Sequence, residues 1–312
     1  MKYGKIRNLS LFKKNANGTQ ATLSQLAVGV APLVPIRADG TNLYVDAGVM
    51  IKAGGDLSAD HAAVIQDVID NVENGFLDLG LEPTTAFGED GIKINGATPA
   101  QLHGYVADNL DALRTFFLAI DGLASNGLTV VVRYASEFNE NNPEDNYALD
   151  PEAYKNAVSV VKEAMSGTQL KLAFSPGINE AEGDWEAQNP NAAISSYWIP
   201  DFFDVVSCTF YARPQSDTET EDAAVARSVR RLAAYLTQVS ASMIGFDEFG
   251  ASMTNDGAAS VQRNDLALQK LLNAVNDHPD LADLTFDYST IFLENYWGKD
   301  ATLEFLVEDN AG

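Results

Sequence analysis

The sequence predicts an α/β protein built as a (β/α)8 TIM barrel with an irregular N-terminal β extension. Three observations predict it. Apolar runs of strand length alternate with amphipathic helical stretches along most of the chain. The runs show no polar alternation, FFDVVSCTFY at 202–211 being the clearest, so they read as strands buried on both faces and therefore parallel. The 312 residues hold six or seven such units, and a barrel typically needs about 250 residues. A doubly wound open sheet is the other architecture of this pattern, but no glycine-rich phosphate loop joins a strand to a helix here.

The N-terminal fifth fits the pattern least. LAVGVAPLV and NLYVDAGVMIK are both strand-like, yet only PIRADGTN separates them. A parallel crossover needs about a dozen residues or more, so the two segments read as a hairpin-like extension over 1–45, followed by a barrel domain over 46–312. Residues 57–74 carry Ala63, Val64, Val68 and Val72 at helical spacing, and FLDLGLEP at 76–83 is a strand closed by proline. Residues 98–125 read as one long helix: Thr98 and Gln101 form a capping box, Pro99 takes the first helical position, and Asn126-Gly127 stops it. LTVVVRY at 128–134 is a strand. A helix runs from Asp150-Pro151 to about Ser166, with Gly167 at its end. LKLAFS at 170–175, FFDVVSCTFY at 202–211, MIGFDEF at 243–249 and DYSTIFLE at 287–294 complete the strands, and helices over 220–240 and 258–276 fall between the later ones.

Composition narrows the partners. The net charge is −24, from 44 acidic against 20 basic residues, so nucleic acid and anionic membranes are repelled while a neutral ligand is indifferent. LAVGVAPLVPI at 26–36 is too short for a membrane span and holds two prolines, so no membrane insertion is expected. No recognisable signal peptide opens the chain, and a soluble protein is expected whose place of work the sequence does not fix. Cys208 is the sole cysteine and sits in an apolar run, which reads as a buried, inert thiol. His61, His103 and His278 have no partners at metal-ligand spacing, so neither a metal nor any other cofactor is expected.

In a barrel the functional groups stand at the C-terminal ends of strands. Strand 128–134 leads to Arg133, Ser136, Glu137 and Asn139; strand 202–211 ends on Tyr211; strand 243–249 carries Asp247 and Glu248; the last strand leads to Glu294, Asn295, Tyr296 and Trp297. Two glutamates at two strand ends suit cleavage of a glycosidic bond, which needs an acid for the leaving oxygen and a carboxylate across the anomeric carbon. Arg133 and Tyr211 would keep the second carboxylate ionised, and Trp185 and Trp297 offer flat faces for sugar rings. Asp247 alternates with Glu248 and is expected to turn toward a helix.

R-x-x-S-E-F-N at 133–139 resembles the R-x-x-H-E-M-N motif of family twenty-six glycoside hydrolases, the β-mannanase family within clan A of retaining barrel enzymes. DPEAYKNAVSVVKEAM, LAFSPG, WIPDFFDVVSCTFYA and MIGFDEFGAS resemble the segments that follow in that family, so the likeness spans roughly residues 98–255. The resemblance implies a polysaccharide- or oligosaccharide-cleaving enzyme of the β-mannan, β-glucan or β-xylan class. Glu137 would be its acid/base and Glu248 its nucleophile, with Tyr211 bonded to the nucleophile and Arg133 supporting the carboxylates from below. Ser136, Asn139, Tyr211, Trp185 and Trp297 would meet the sugar. Two departures stand out. Ser136 replaces the family's histidine, and the cleft tryptophans are absent, with Asn142, Tyr147 and Phe174 near their positions. These departures suit a second reading, a non-catalytic carbohydrate-binding or surface or virion structural barrel derived from such an enzyme; retention of both glutamates suits the first.

Overall fold

A computed structural model describes residues 6–12, 20–25, 38–83, 97–125, 127–139, 147–148, 150–178, 193–212, 214, 216, 218–251 and 261–292. Eight strands close a barrel in which each neighbouring pair is parallel: β1 (Ile6–Phe12), β2 (Gly40–Asp46), β3 (Phe76–Glu82), β4 (Thr129–Tyr134), β5 (Lys171–Phe174), β6 (Val205–Val206), β8 (Met243–Phe246) and β10 (Phe286–Phe292), with β10 returning to β1. Two short strands, β7 (Thr209–Ala212) and β9 (Glu248–Ala251), continue β6 and β8 and pair with each other. Closure leaves no open sheet edge.

Four readings of the sequence are corrected. The segment 1–45 is not set apart from the barrel: β1 and nearly all of β2 fall within it, and β2 pairs in parallel with both β1 and β3 rather than in a hairpin. IRNLSLF escaped notice because Arg7, Asn8 and Ser10 break its apolar run, and Ser10 faces a polar interior, fully buried. LAVGVAPLV lies outside the described residues. The stretch 98–125 is two helices, α3 (Pro99–Asp108) and α4 (Leu110–Ala124). Asn109 breaks it: its side-chain amide donates to the Tyr105 carbonyl at 2.8 Å and its backbone N–H turns to Val106, a local bond that competes with the helix ladder. The runs 202–211 and 243–249 are each divided, at Ser207-Cys208 and at Asp247.

Helices cover the barrel, and their ends follow the sequence signals. α1 (Ala47–Lys52), α2 (Ala59–Asn71), α5 (Pro151–Ala164) and α7 (Glu221–Gln238) are capped by Asp46, Ser58, Asp150 and Thr220, each accepting a backbone N–H, while Thr98 and Gln101 form the capping box of α3. α6 (Ile194–Tyr197) and α8 (Val261–Asp277) complete the helices that flank the strands. Between helices and sheet lies the main core, where Leu113, Phe116, Phe117 and Ile120 of α4 bury one stripe. Among the described residues no helix is long and apolar enough to cross a membrane.

The barrel interior is layered. Phe76, Val131, Ala173, Val205 and Tyr288 fill its floor, with the Phe76 and Tyr288 rings stacked at 4.5 Å. Going up two residues along the strands, the pleat places Asn42, Asp78, Arg133 and Thr290 in the next layer, and polar groups replace apolar ones. Two glycines make the interior fit: a Cβ at Gly245 would stand 2.1 Å from the Tyr288 ring, and one at Gly80 would stand 2.8 Å from the Tyr44 ring. Gly245→Ala is therefore expected to lower stability by about 1–3 kcal/mol through overpacking. Urea denaturation checks this; an unchanged midpoint would contradict the packing described.

Candidate active site

The site rests on a buried charge layer. Arg133 is fully buried on β4 and its Nε donates to Asp78 Oδ1 at 2.7 Å, with Asp247 at 3.8 Å. Asn42 and Thr290 each donate to the second Asp78 oxygen at 2.9 Å. Asp247 accepts from Tyr288 at 2.5 Å and from Ser175. Four strands of the barrel, β2, β3, β4 and β10, and the turns after β5 and β8 are thus tied together. Asp247 faces the barrel interior and not a helix, which corrects the sequence reading; the break between β8 and β9 allows Asp247 and Glu248 both to serve the interior side.

One layer higher, β9 presents Glu248, half-buried and bonded at both oxygens. Tyr211 of β7 donates to Oε2 at 2.7 Å, and Tyr44 of β2 donates to Oε1 at 2.5 Å. Burial first, then the Glu248 charge and the bond to it, pushes the Tyr211 phenol well above its ordinary range, so it remains a donor. The Tyr44 phenol is raised chiefly by burial, against the pull of Arg133 and with the push of Glu248 and Glu82.

Glu137 follows β4 on a tight loop. Ala135 and Glu137 hold φ of 52° and 58°, a region that costs non-glycine residues energy and persists where surroundings enforce it. The enforcement is visible. Ala135 N–H bonds to the Leu81 carbonyl and Glu137 N–H to the Ser175 carbonyl, both at 3.0 Å. Phe138, buried, stacks on Tyr154 at 3.9 Å and packs against Phe174 and Tyr197. Burial, Glu248 and Tyr44 raise the Tyr211 phenol more than the Glu137 charge does, which adds the least.

The structure distributes the other expected residues unevenly. Arg133 reaches neither glutamate by a direct ion pair; it serves Asp78 and lies 5.0 Å under the Tyr44 ring. Ser136 is nearly buried and donates to Glu82, at the end of β3. Asn139 commits both ends of its amide to Gly177, accepting its N–H and donating to its carbonyl at 2.8 Å, so it clasps the turn after β5. Tyr147 and Phe174 belong to the buried aromatic core and line no cleft. Trp185, Trp297, Asn142, Glu294, Asn295 and Tyr296 lie outside the described residues. Burial foremost pushes the Cys208 thiol up, consistent with an inert core residue. Among the described residues no group of three or more His, Cys, Asp or Glu forms a metal cluster.

Tyr44 and Glu82 were missed. Tyr44 lies two residues beyond Asn42 on β2, in a segment whose sequence reads as an extension outside the barrel, so no sequence pattern marks it as inward-facing. Glu82 is the last residue of β3, paired with Asp46 of β2, and a carboxylate directly before Pro83 was the available signal.

No protein-family model matches the chain, and no curated protein matches it in sequence. Solved structures do match in shape. A GH5-4 broad specificity endoglucanase from an uncultured bacterium superposes with a TM-score of 0.56 at 12% identity, over 93% of this chain and 86% of its own. A Bacillus subtilis mannanase gives 0.56 at 13%, over 97% and 85%. An active-site mutant of a Rhizomucor miehei β-1,3-glucanosyltransferase, in complex with laminaritriose, gives 0.53 at 14%, over 93% and 89%. The fold is a TIM barrel, and at these identities the likeness is one of fold and singles out no family.

The charge layer makes a pH prediction. Burial, outweighing the pull of Arg133, pushes the Asp78 carboxyl from 3.8 up to about 7. Between those values the unfolded chain has lost this proton while the folded protein keeps it. The contribution of Asp78 to stability is therefore full below about pH 4, declines as pH rises to about 7, and is flat above. Urea denaturation from pH 4 to 8 should show this falling component in the parent protein and its loss in Asp78→Asn; an identical slope in both would contradict the assignment.

Proposed function

We propose that this protein is a retaining β-glycoside hydrolase acting on a neutral polysaccharide or oligosaccharide of the β-glucan, β-mannan or β-xylan class. The observation that carries the reading is Glu248: it stands on β9 with a phenol on each oxygen, Tyr211 on Oε2 and Tyr44 on Oε1, while Glu137 follows the end of β4 on the same, C-terminal side of the parallel barrel. The resemblance of the 133–139 and 245–252 segments to clan A motifs supports it, as does the fold shared with an endoglucanase and a mannanase.

The chemistry follows from the roles. An oxygen of Glu248 attacks the anomeric carbon as the glycosidic C–O bond breaks, and the departing oxygen takes the proton of Glu137. A water then bonds to the same carbon while the ester to Glu248 breaks; Glu137, now a carboxylate, takes the water's proton. Both residues return to their starting states. Holding Glu137 on an enforced backbone and Glu248 between two phenols fixes the acid and the nucleophile before substrate arrives.

Two substrate types separate the roles. Glu248→Ala should abolish turnover of both aryl β-glycosides and polysaccharide. Glu137→Ala should slow polysaccharide by about 10²–10⁴-fold while sparing formation of the intermediate from an aryl glycoside, whose leaving group needs no acid. Initial-rate assays on β-mannan, β-glucan and β-xylan alongside the aryl substrates make the comparison. Equal losses on both substrate types in Glu137→Ala would overturn the roles, and glycan binding with no turnover in the parent protein would favour the non-catalytic barrel.

A further inference from the structure

We propose that Tyr44 is the second positioning residue of Glu248, clamping Oε1 from β2 while Tyr211 holds Oε2 from β7. The proposal rests on the reading of Glu248 as nucleophile and adds what keeps that carboxylate in one orientation. The observations are independent of the sequence motifs. The Tyr44 hydroxyl is 2.5 Å from Glu248 Oε1. Its ring lies with its face 5.0 Å from the Arg133 guanidinium carbon, and neither Nη of Arg133 has a hydrogen-bond acceptor among the described residues. Cation and ring face therefore answer each other in a setting with little water to compete. Gly80, the register partner of Tyr44 on β3, provides the space for that ring.

The arrangement transmits order from the floor to the site. Asp78 and Asp247 fix Arg133, Arg133 seats the Tyr44 ring, and the Tyr44 hydroxyl fixes Glu248. A carboxylate with a donor on each oxygen cannot rotate about its own axis without losing both bonds. Once one oxygen bonds the anomeric carbon, the other, now the ester carbonyl, still has a phenol to donate to it. The groups that bear on Tyr44 are Arg133 from β4, Glu82 from β3 and Glu248 from β9; those that bear on Tyr211 include Glu248, Tyr44 and Glu137. Both phenols are held above their ordinary range, burial being the largest cause, so both stay donors as pH rises into the mild alkaline range.

Tyr44→Phe removes the hydroxyl and leaves the ring on Arg133. Turnover number should fall by about 10- to 100-fold, the worth of one hydrogen bond to a charged group. The fall should be equal on aryl glycosides and polysaccharide, with KM within about threefold of the parent, because the nucleophile acts on every substrate. A structural defect alone would not keep that split. A thermal cycle tests the same contact without any assay of activity: Tyr44→Phe should lower Tm by about 2–6 °C in the parent protein and by nothing measurable in the Glu248→Ala background. An equal Tm loss in both backgrounds overturns the proposal, as does parent-like turnover in Tyr44→Phe when Glu248→Ala is inactive. If Glu248→Ala keeps full activity, the nucleophile assignment fails, and the thermal cycle still decides whether Tyr44 holds that carboxylate.

Discussion

A single buried cation organises this molecule. Arg133 sits at the centre of the barrel with no exposure to solvent, bound to Asp78 and flanked by Asp247. Placing three ionisable groups there is expensive, and the gain in Coulomb energy alone does not explain their presence. What they provide is geometry. Asp78 collects Arg133, Asn42 and Thr290, and Asp247 collects Tyr288 and Ser175, so β2, β3, β4, β10 and the turns after β5 and β8 are registered against each other at one height. Removing one member would leave a charge unpaired in a dry interior, an effect of about 3–5 kcal/mol. Glu248 stands above this platform, bonded to Tyr44, whose ring lies over Arg133.

The two glutamates are held by different means. Glu248 is fixed through its side chain, by a phenol on each oxygen. Glu137 is fixed through its backbone, by a bond to the end of β5 and by Phe138 sunk into an aromatic cluster with Tyr154, Phe174 and Tyr197. The distinction suits the roles assigned. A nucleophile keeps one charge state and one orientation until it attacks, whereas an acid/base must stay in place while it exchanges a proton, which a fixed backbone provides. The Ser136 hydroxyl donates to Glu82, a further carboxylate at the C-terminal end of a barrel strand.

Much of this was legible in the sequence, for identifiable reasons. The parallel strands declared themselves because LTVVVRY and FFDVVSCTFY are apolar on both faces, and two helix starts because Thr98 and Asp150 cap them. Glu137 and Glu248 were visible as carboxylates directly after such runs. The first two strands were not, since β1 alternates polar residues that face a polar interior and β2 follows a link that resembles a hairpin turn. That error hid Tyr44. The break at Asn109 was hidden because apolar spacing continues across it, from Leu102 and Val106 to Leu113 and Phe116. Asn139 carried a motif position yet serves the Gly177 backbone, a long-range bond that no local pattern encodes.

The central claim is that Glu248 forms a covalent bond to the sugar while Glu137 supplies and recovers a proton. Incubation with an activated 2-deoxy-2-fluoro β-glycoside, whose second step is slowed, followed by peptide mass spectrometry, tests it directly. The account predicts a single added glycosyl mass on the peptide that contains Glu248 and none on the peptide that contains Glu137. A label on Glu137, or hydrolysis with inverted anomeric configuration and no adduct, would contradict it.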